Sequence, residues 1–309
     1  HSNFPADNII RVTAGVNGAV TRAETMGTEL NSKFSLTVVN KDTENEYNYK
    51  YTHENKIFQK IDKEWICNTI LLWQDAETKV DVAALAPVTN DDMKFFGILD
   101  NKNQFQTLEY DITADQKTQK PENDLLYYYQ SDLVPRTALN SDGKLDIQFN
   151  HAFSMIDIIV TLGTEYSNKE NPINKVIVGG SKLKATVDVA NSEGYGVAYP
   201  SESGNNPETD ITTIPVTFNK ATTDQENSTA ISSCILIPQT IDANKFKVTL
   251  KTSSKTYVWT SPSAITLKSG HKYTLELKMG KDKLTAQKGN ISAGSWTKGT
   301  GSGSTLGTK

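Results

Sequence analysis

The chain contains few cysteines and no apolar run of the ~20 residues that would cross a bilayer. Its only cysteines among 309 residues are Cys67 and Cys234, too few for a disulfide framework. Each lies beside an isoleucine, where a thiol packs as a small apolar side chain. We therefore expect two buried free thiols, with a disulfide between them as the alternative.

Arginine is also scarce, at positions 11, 22 and 136 only, and the formal net charge is -4. Planar guanidinium groups supply most bidentate contacts to phosphate and guanine. A mildly acidic chain does not attract polyanions. The composition argues against nucleic acid as a partner.

The residues for catalysis or metal binding are not grouped along the sequence. The four histidines never fall three or four positions apart, and neither cysteine has a nearby Cys or His to complete a zinc site. The serine between glycines at 299–303 neither follows a strong strand nor precedes a helix, whereas a nucleophile elbow requires both. We expect no metal, no cofactor and no catalytic residues, so an enzyme is the least supported function.

Apolar residues recur at every second position over most of the chain. The pattern is clearest between Cys234 and Met279, for example at Phe246, Val248 and Leu250, and it is typical of half-buried strands. The sequence therefore predicts an all-β protein. Its length suits two β domains, each with its own core.

A tight-turn signal at 140–143 divides the two predicted domains. We assign 1–143 to an N-terminal domain that includes the first strand, and 144–309 to a C-terminal domain. The second domain ends in a tail rich in Gly, Ser and Thr from Lys288 onward, which predicts flexibility.

One short helical turn is predicted inside the first domain. Asn123 or Asp124 can cap a turn through Leu125–Tyr129, with Pro121 just upstream.

The first strand is set apart from the rest of its domain. Apolar residues alternate at Ile10, Val12, Ala14 and Val16, and a small and polar segment containing Arg22 follows. This pattern predicts an isolated strand on a soft tether.

Several segments of the sequence together resemble the Bacteroidales fimbrillin family, the pilins of type V pili. In the second half they are 145–158, 234–239, 267–277 and 291–296, and in the first half 21–23, Trp73, 80–87 and 124–126 follow in the family's order.

The resemblance implies two tandem transthyretin-like β-sandwich domains and a structural pilin of surface fimbriae that contributes to cell adhesion. It implies export through the outer membrane as a lipoprotein precursor, and the start at His1 fits a mature or trimmed product. In the family an arginine-specific protease removes an N-terminal strand, and a terminal strand of a neighbouring subunit fills the groove, giving a homo- or hetero-polymer. Cleavage after Arg22 would release the strand of Ile10, whereas cleavage after Arg11 would split it, so we expect Arg22.

The donor strand is less clear, because beyond Trp296 only Leu306 is apolar. The candidate donor segment carries Leu284, Ile291 and Trp296. Alternatively, the protein is a tip adhesin that accepts a strand without passing one on.

A second function from a different class is a surface glycan-binding lipoprotein that does not polymerise. Tyr127–Tyr129 and the polar loop 191–210 could contact a host glycan or protein.

Overall fold

The computed structural model describes residues 3–17, 29–90, 105–163, 165–166, 172–215, 229–287 and 291–296, and the backbone of 304–305. Within these ranges the chain is nearly all β. Helical structure is confined to α1 (Pro135–Ala138) and two 3-10 turns, Asn48–Lys50 and Pro121–Asn123. The prediction of an all-β fold with short helical insertions is confirmed.

The strands follow one another along the chain in short runs. The first eight are β1 (Val12–Val16), β2 (Phe34–Asn40), β3 (His53–Ile61), β4 (Glu64–Cys67), β5 (Val80–Ala86), β6 (Leu108–Asp111), β7 (Leu126–Leu133) and β8 (Leu145–His151). The next seven are β9 (Ser154–Leu162), β10 (Lys175–Lys182), β11 (Lys184–Val187), β12 (Ala198–Pro200), β13 (Glu208–Thr213), β14 (Thr229–Leu236) and β15 (Thr240–Ile241). The last seven are β16 (Lys247–Lys251), β17 (Thr256–Thr260), β18 (Ile265–Thr266), β19 (His271–Met279), β20 (Leu284–Ala286), β21 (Ser292–Ser295) and β22 (Ser304–Thr305).

The chain groups into two compact units. Unit 1 draws on His1–Leu108, Leu125–Ala152 and Val187–Asn191, and the remainder forms unit 2. Strand β8, which follows the predicted domain boundary, belongs to unit 1. The boundary at residue 143 stays a prediction.

Unit 1 is built on one seven-stranded sheet in the order β1-β8-β7-β5-β2-β3-β4. Its core contains the buried side chains of Phe34, Trp73, Ile147 and Phe149. These residues come from distant parts of the chain, so non-local strand pairing assembles the core. Strands β1 and β4 are the two edges of the sheet.

Unit 2 contains a four-stranded sheet, β13-β10-β16-β17, and a second sheet, β14-β9-β19-β21-β22, in which β20 also pairs with β19. Many apolar residues of these strands are fully buried, as at Val178, Val248, Ile158 and Leu275, whereas Ile231 and Val258 on the outer faces are 40% and 52% exposed. The alternation read from the sequence is therefore the alternation between core and outer face.

The predicted helical turn at Leu125–Tyr129 is wrong. Strand β7 runs through this segment and pairs antiparallel with β5, with Tyr128 opposite Ala84. Tyrosine packs well on a pleated surface, and strand pairing outweighs the local capping signal. The α-helix begins instead at Pro135, whose missing N–H suits the first helical position.

The predicted flexible tail is also corrected, for residues 291–296. Strand β21 pairs antiparallel with β19, with Ala293 opposite Tyr273. Ile291 and Trp296 on either side of it are buried, which ties this glycine- and serine-rich segment to unit 2.

Both cysteines are free, in agreement with the sequence prediction. Cys234 is buried, whereas Cys67 is only half-buried.

Candidate functional site around the first strand

Strand β1 lies at one edge of the unit 1 sheet and pairs parallel with β8. The register joins Val12 to Leu145 and continues to Val16 and Phe149. The Leu145 N–H donates to the Arg11 carbonyl at 2.9 Å, and the Asn17 N–H donates to the Phe149 carbonyl at 2.7 Å. The strand is thus hydrogen-bonded to β8 over its whole length.

The residues just before β1 are held by a different segment. The Ile10 N–H donates to the Leu71 carbonyl at 2.8 Å, and the Trp73 N–H donates to the Asn8 carbonyl at 2.8 Å. The contact is antiparallel, and the contacted segment, Leu71–Trp73, comes just after β4 in the chain. Residues 8–17 are therefore paired with two separate parts of unit 1.

The side chains of this strand alternate between core and surface as the sequence predicted. Ile10, Val12 and Val16 are 3–4% exposed, and the half-buried Ala14 packs against the same core cluster. Full burial of one such aliphatic side chain contributes about 1.5–3 kcal/mol. The three buried residues together contribute about 5–9 kcal/mol before entropic costs, which is comparable with the net stability of a whole domain.

A cleft of about 520 Å³ lies beside the strand, between β1 and β4. Its lining is mainly apolar and includes Phe58, Trp65, Ile66, Ile70 and Leu71. Among these, Ile66 and Ile70 are 45% and 72% exposed. An apolar surface therefore borders the strand on the side away from β8.

The two arginines proposed for cleavage have different environments. Arg22 lies outside the described residues. The Arg11 guanidinium donates to both carboxylate oxygens of Asp7, at 3.1 and 2.6 Å, and these bonds hold the pKa of Asp7 at about 2. The Arg11 backbone belongs to the ladder with β8, so the peptide bond after Arg11 lies inside paired structure.

The candidate donor residues lie together along β19 in unit 2. Leu284 is opposite Met279 in the β19–β20 pair. Ile291 and Trp296 lie on either side of β21, which also pairs with β19. All three belong to the protein's own sheet. Donation of this segment would require its release from β19.

The tyrosines proposed to contact a glycan do not form an exposed cluster. Tyr127, Tyr128 and Tyr129 lie on β7 and are half-buried, and burial raises the pKa of Tyr127 and Tyr128. Tyr128 packs against the unit 1 core, and Tyr129 makes an edge-on ring contact with Phe105 at 5.8 Å. Core packing accounts for much of this cluster.

Sequence reasoning missed the partners of the first strand. The alternation of Leu145, Ile147 and Phe149 is typical of a strand, but no local pattern shows that β8 pairs with β1. The contact of Asn8 with Trp73 has no sequence signal at all.

The described part of the chain contains no cluster of three or more metal-ligating side chains. No described helix is long and apolar enough to span a membrane.

The arrangement defines a class of protein with two compact β units and an edge strand whose removal would open one core. Its fold is shared with solved cell adhesion and fimbrial proteins of Bacteroides and Porphyromonas. One is a cell adhesion protein from Bacteroides ovatus, with a TM-score of 0.64, 16% identity, and coverage of 94% of this chain and 99% of that one. A second, from Bacteroides uniformis, has a TM-score of 0.58, 14% identity, and coverage of 95% and 100%.

A third similar structure is the tip fimbrial protein Mfa3 from Porphyromonas gingivalis, with a TM-score of 0.53, 10% identity, and coverage of 93% of this chain and 100% of that one. The family model for fimbrillin-like proteins matches residues 21–296. The chain therefore belongs to the fimbrillin-like family, as the sequence resemblance predicted. A comparison with curated protein sequences finds no match.

Proposed function

We propose that this chain is a structural pilin, assembled into surface fimbriae by removal of its first strand and by strand exchange between subunits. The observation that carries the proposal is the placement of β1 as an edge strand whose side chains fill the unit 1 core. The family match begins at residue 21, so β1 precedes the matched region and Arg22 lies at its start.

Removal of β1 would leave two kinds of unsatisfied surface. The backbone of β8 would lose its hydrogen-bond partners, and the apolar pockets of Ile10, Val12 and Val16 would open to water. An incoming strand with apolar residues at alternate positions would satisfy both.

Cleavage also changes the energetics of exchange. An uncut β1 competes with an incoming strand for the edge of β8, and it does so at high effective concentration because it belongs to the same chain. Cutting the segment that joins β1 to unit 1 removes this advantage. Parallel pairing, as between β1 and β8, is slightly less stable per residue than antiparallel pairing. Both effects favour replacement of the cleaved strand by one from a neighbouring subunit.

The donor segment in this scheme is the one that carries Leu284, Ile291 and Trp296. It would leave β19 and enter the groove of the next subunit, giving a homo- or hetero-polymer that contributes to cell adhesion. A tip subunit that accepts a strand and donates none is the variant in which this segment stays on β19.

The same proposal assigns the protein to the cell surface. It would be exported as a lipoprotein precursor and processed outside the outer membrane by an arginine-specific protease. Cleavage after Arg22 leaves β1 whole, whereas Arg11 is held in the β8 ladder and paired with Asp7.

Digestion of three proteins with an arginine-specific protease tests the proposal. We expect the unmodified chain and the Arg11→Gln variant to lose their first 22 residues and to form oligomers on size-exclusion chromatography. The Arg22→Gln variant should remain uncut at this position and monomeric. The proposal fails if trimmed protein neither polymerises nor accepts a peptide strand, or if Arg22→Gln polymerises equally well.

A further inference from the structure

A second cleft, of about 420 Å³, lies in unit 2 at the turn between β16 and β17. The turn is fixed by Thr252, whose N–H donates to the Lys255 carbonyl at 2.9 Å, while its hydroxyl oxygen accepts from the Lys255 N–H at 2.9 Å. Ser253 and Ser254 also line the cleft. One wall of the cleft is thus a hydrogen-bonded turn rich in hydroxyl groups.

Two buried tyrosines, Tyr166 and Tyr257, also line the cleft. The hydroxyls of Tyr166 and Tyr257 share a hydrogen bond of 2.9 Å. The Tyr257 hydroxyl also lies 2.6 Å from the Lys281 carbonyl, to which it can donate. These bonds fix the backbone at Lys281.

Two lysine ammonium groups lie at this cleft. The Lys255 Nζ donates to the Lys281 carbonyl at 2.6 Å and lies 5.1 Å from the Tyr257 ring centroid. The Lys281 Nζ lies 5.7 Å from the Tyr166 ring centroid.

Carboxylates compensate little of this charge. Among the described residues, the one ion pair of these two lysines is a 4.0 Å contact between Lys255 and the fully exposed Asp282. The cleft therefore presents positive charge to solvent from a concave surface.

We infer that this cleft binds a saccharide carrying a carboxylate or a sulfate group. The Lys281 ammonium supplies the charge for the anionic group. The hydroxyls of Ser253 and Ser254 can both donate to and accept from sugar hydroxyls. The volume falls in the range of small-molecule sites. The cleft is lined by residues of unit 2, whereas β1 belongs to unit 1, so the inference goes beyond the proposed strand exchange.

Isothermal titration of the unprocessed monomer tests the inference with four probes: sialyllactose, a sulfated disaccharide, neutral lactose and free sulfate. We expect at least one anionic probe to bind, lactose to bind at least about tenfold more weakly, and affinity to fall with added salt. Binding of sialyllactose would indicate recognition of a carboxylate, and binding of the sulfated disaccharide would indicate recognition of a sulfate.

Variants with matched charge changes identify the site. Lys281→Gln should weaken binding of the anionic saccharide about tenfold or more, and Lys281→Arg, which keeps the charge, should retain most of it. The control Lys278→Gln removes one exposed lysine of β19 outside the cleft and should leave affinity unchanged. The inference is wrong if no anionic probe binds, if lactose or free sulfate binds as tightly, or if Lys281→Gln has no effect.

Discussion

At the residue scale, neighbouring side chains of the first strand have opposite roles. Ile10 is 4% exposed in the core, whereas the adjacent Arg11 side chain is 43% exposed and pairs with Asp7. In the next two residues the pattern repeats: Val12 is buried, and the Thr13 hydroxyl donates to Asp146 at 2.9 Å. The inward residues therefore provide most of the energy that holds the strand.

Shortening one inward residue should cost much more than shortening an outward one. In the unprocessed protein, we expect Ile10→Ala to lower the free energy of unfolding by about 2–5 kcal/mol, because it leaves a cavity in the core. The matched change Thr13→Ala removes one exposed hydrogen bond and should cost about 1 kcal/mol or less. Urea denaturation measures both, and equal losses would contradict the assignment of faces.

The Asp7–Arg11 pair should be visible in a titration. Hydrogen bonds from Arg11 hold the pKa of Asp7 at about 2, below its ordinary 3.8. Because the folded pKa is depressed, the contribution of the pair to stability is complete above about pH 4 and is lost as the pH falls toward 2. In Arg11→Gln we expect the Asp7 pKa, followed by NMR, to rise toward 3.8, whereas Arg136→Gln should leave it unchanged. An ordinary Asp7 pKa in the unmodified protein would rule the pair out.

At the element scale, local periodicity predicted which segments become strands but not which strands pair. β1, for example, is predicted by its alternating apolar residues. Its partner depends on contacts far apart in sequence: Thr13 and Asp146 are separated by 133 positions. Strand pairing and burial also outweigh local sequence signals in two places. Tyr128 lies in a sheet where a helical turn was predicted, and the buried Trp296 holds part of a tail that was predicted to be flexible.

The candidate site shows the same division. The sequence predicted the residues of β1 that enter the core, since their spacing is a local property. It could not predict the groove walls at Leu71 and Phe149, because those exist only once the sheet has formed.

Loss of the first 22 residues should change hydrogen exchange at the two segments with which residues 8–17 pair. The Leu145 amide donates to Arg11, so removal of the strand leaves it open to water. We expect the amides of Leu145, Ile147 and Phe149, which face β1 in the ladder, to exchange on the order of tenfold faster or more after processing, and to be protected again when a donor peptide binds. The Trp73 amide, which donates to Asn8, should also exchange faster after processing. The β2–β5 pair in the middle of the same sheet, where Val38 is opposite Val82, is the internal control, and faster exchange there as well would indicate general unfolding.

At the scale of the whole molecule, the two units carry different parts of the proposed function. Unit 1 contains the strand to be replaced, and unit 2 contains the candidate donor segment on β19 together with the lysine-lined cleft. The fimbrillin-like family match over residues 21–296 covers parts of both units. Polymerisation and ligand binding can therefore be tested separately, the first on processed and the second on unprocessed protein.

The central claim is that β1 must leave unit 1 before subunits join. Thr13 and Asp146 are direct partners in the ladder, and adjacent strands have a spacing that suits a disulfide. The test protein carries Thr13→Cys and Asp146→Cys together with Cys67→Ser and Cys234→Ala, and its oligomers are measured after cleavage by the arginine-specific protease. We predict that the oxidised protein stays monomeric and polymerises once reductant is added, whereas equal polymerisation in both states would contradict the account.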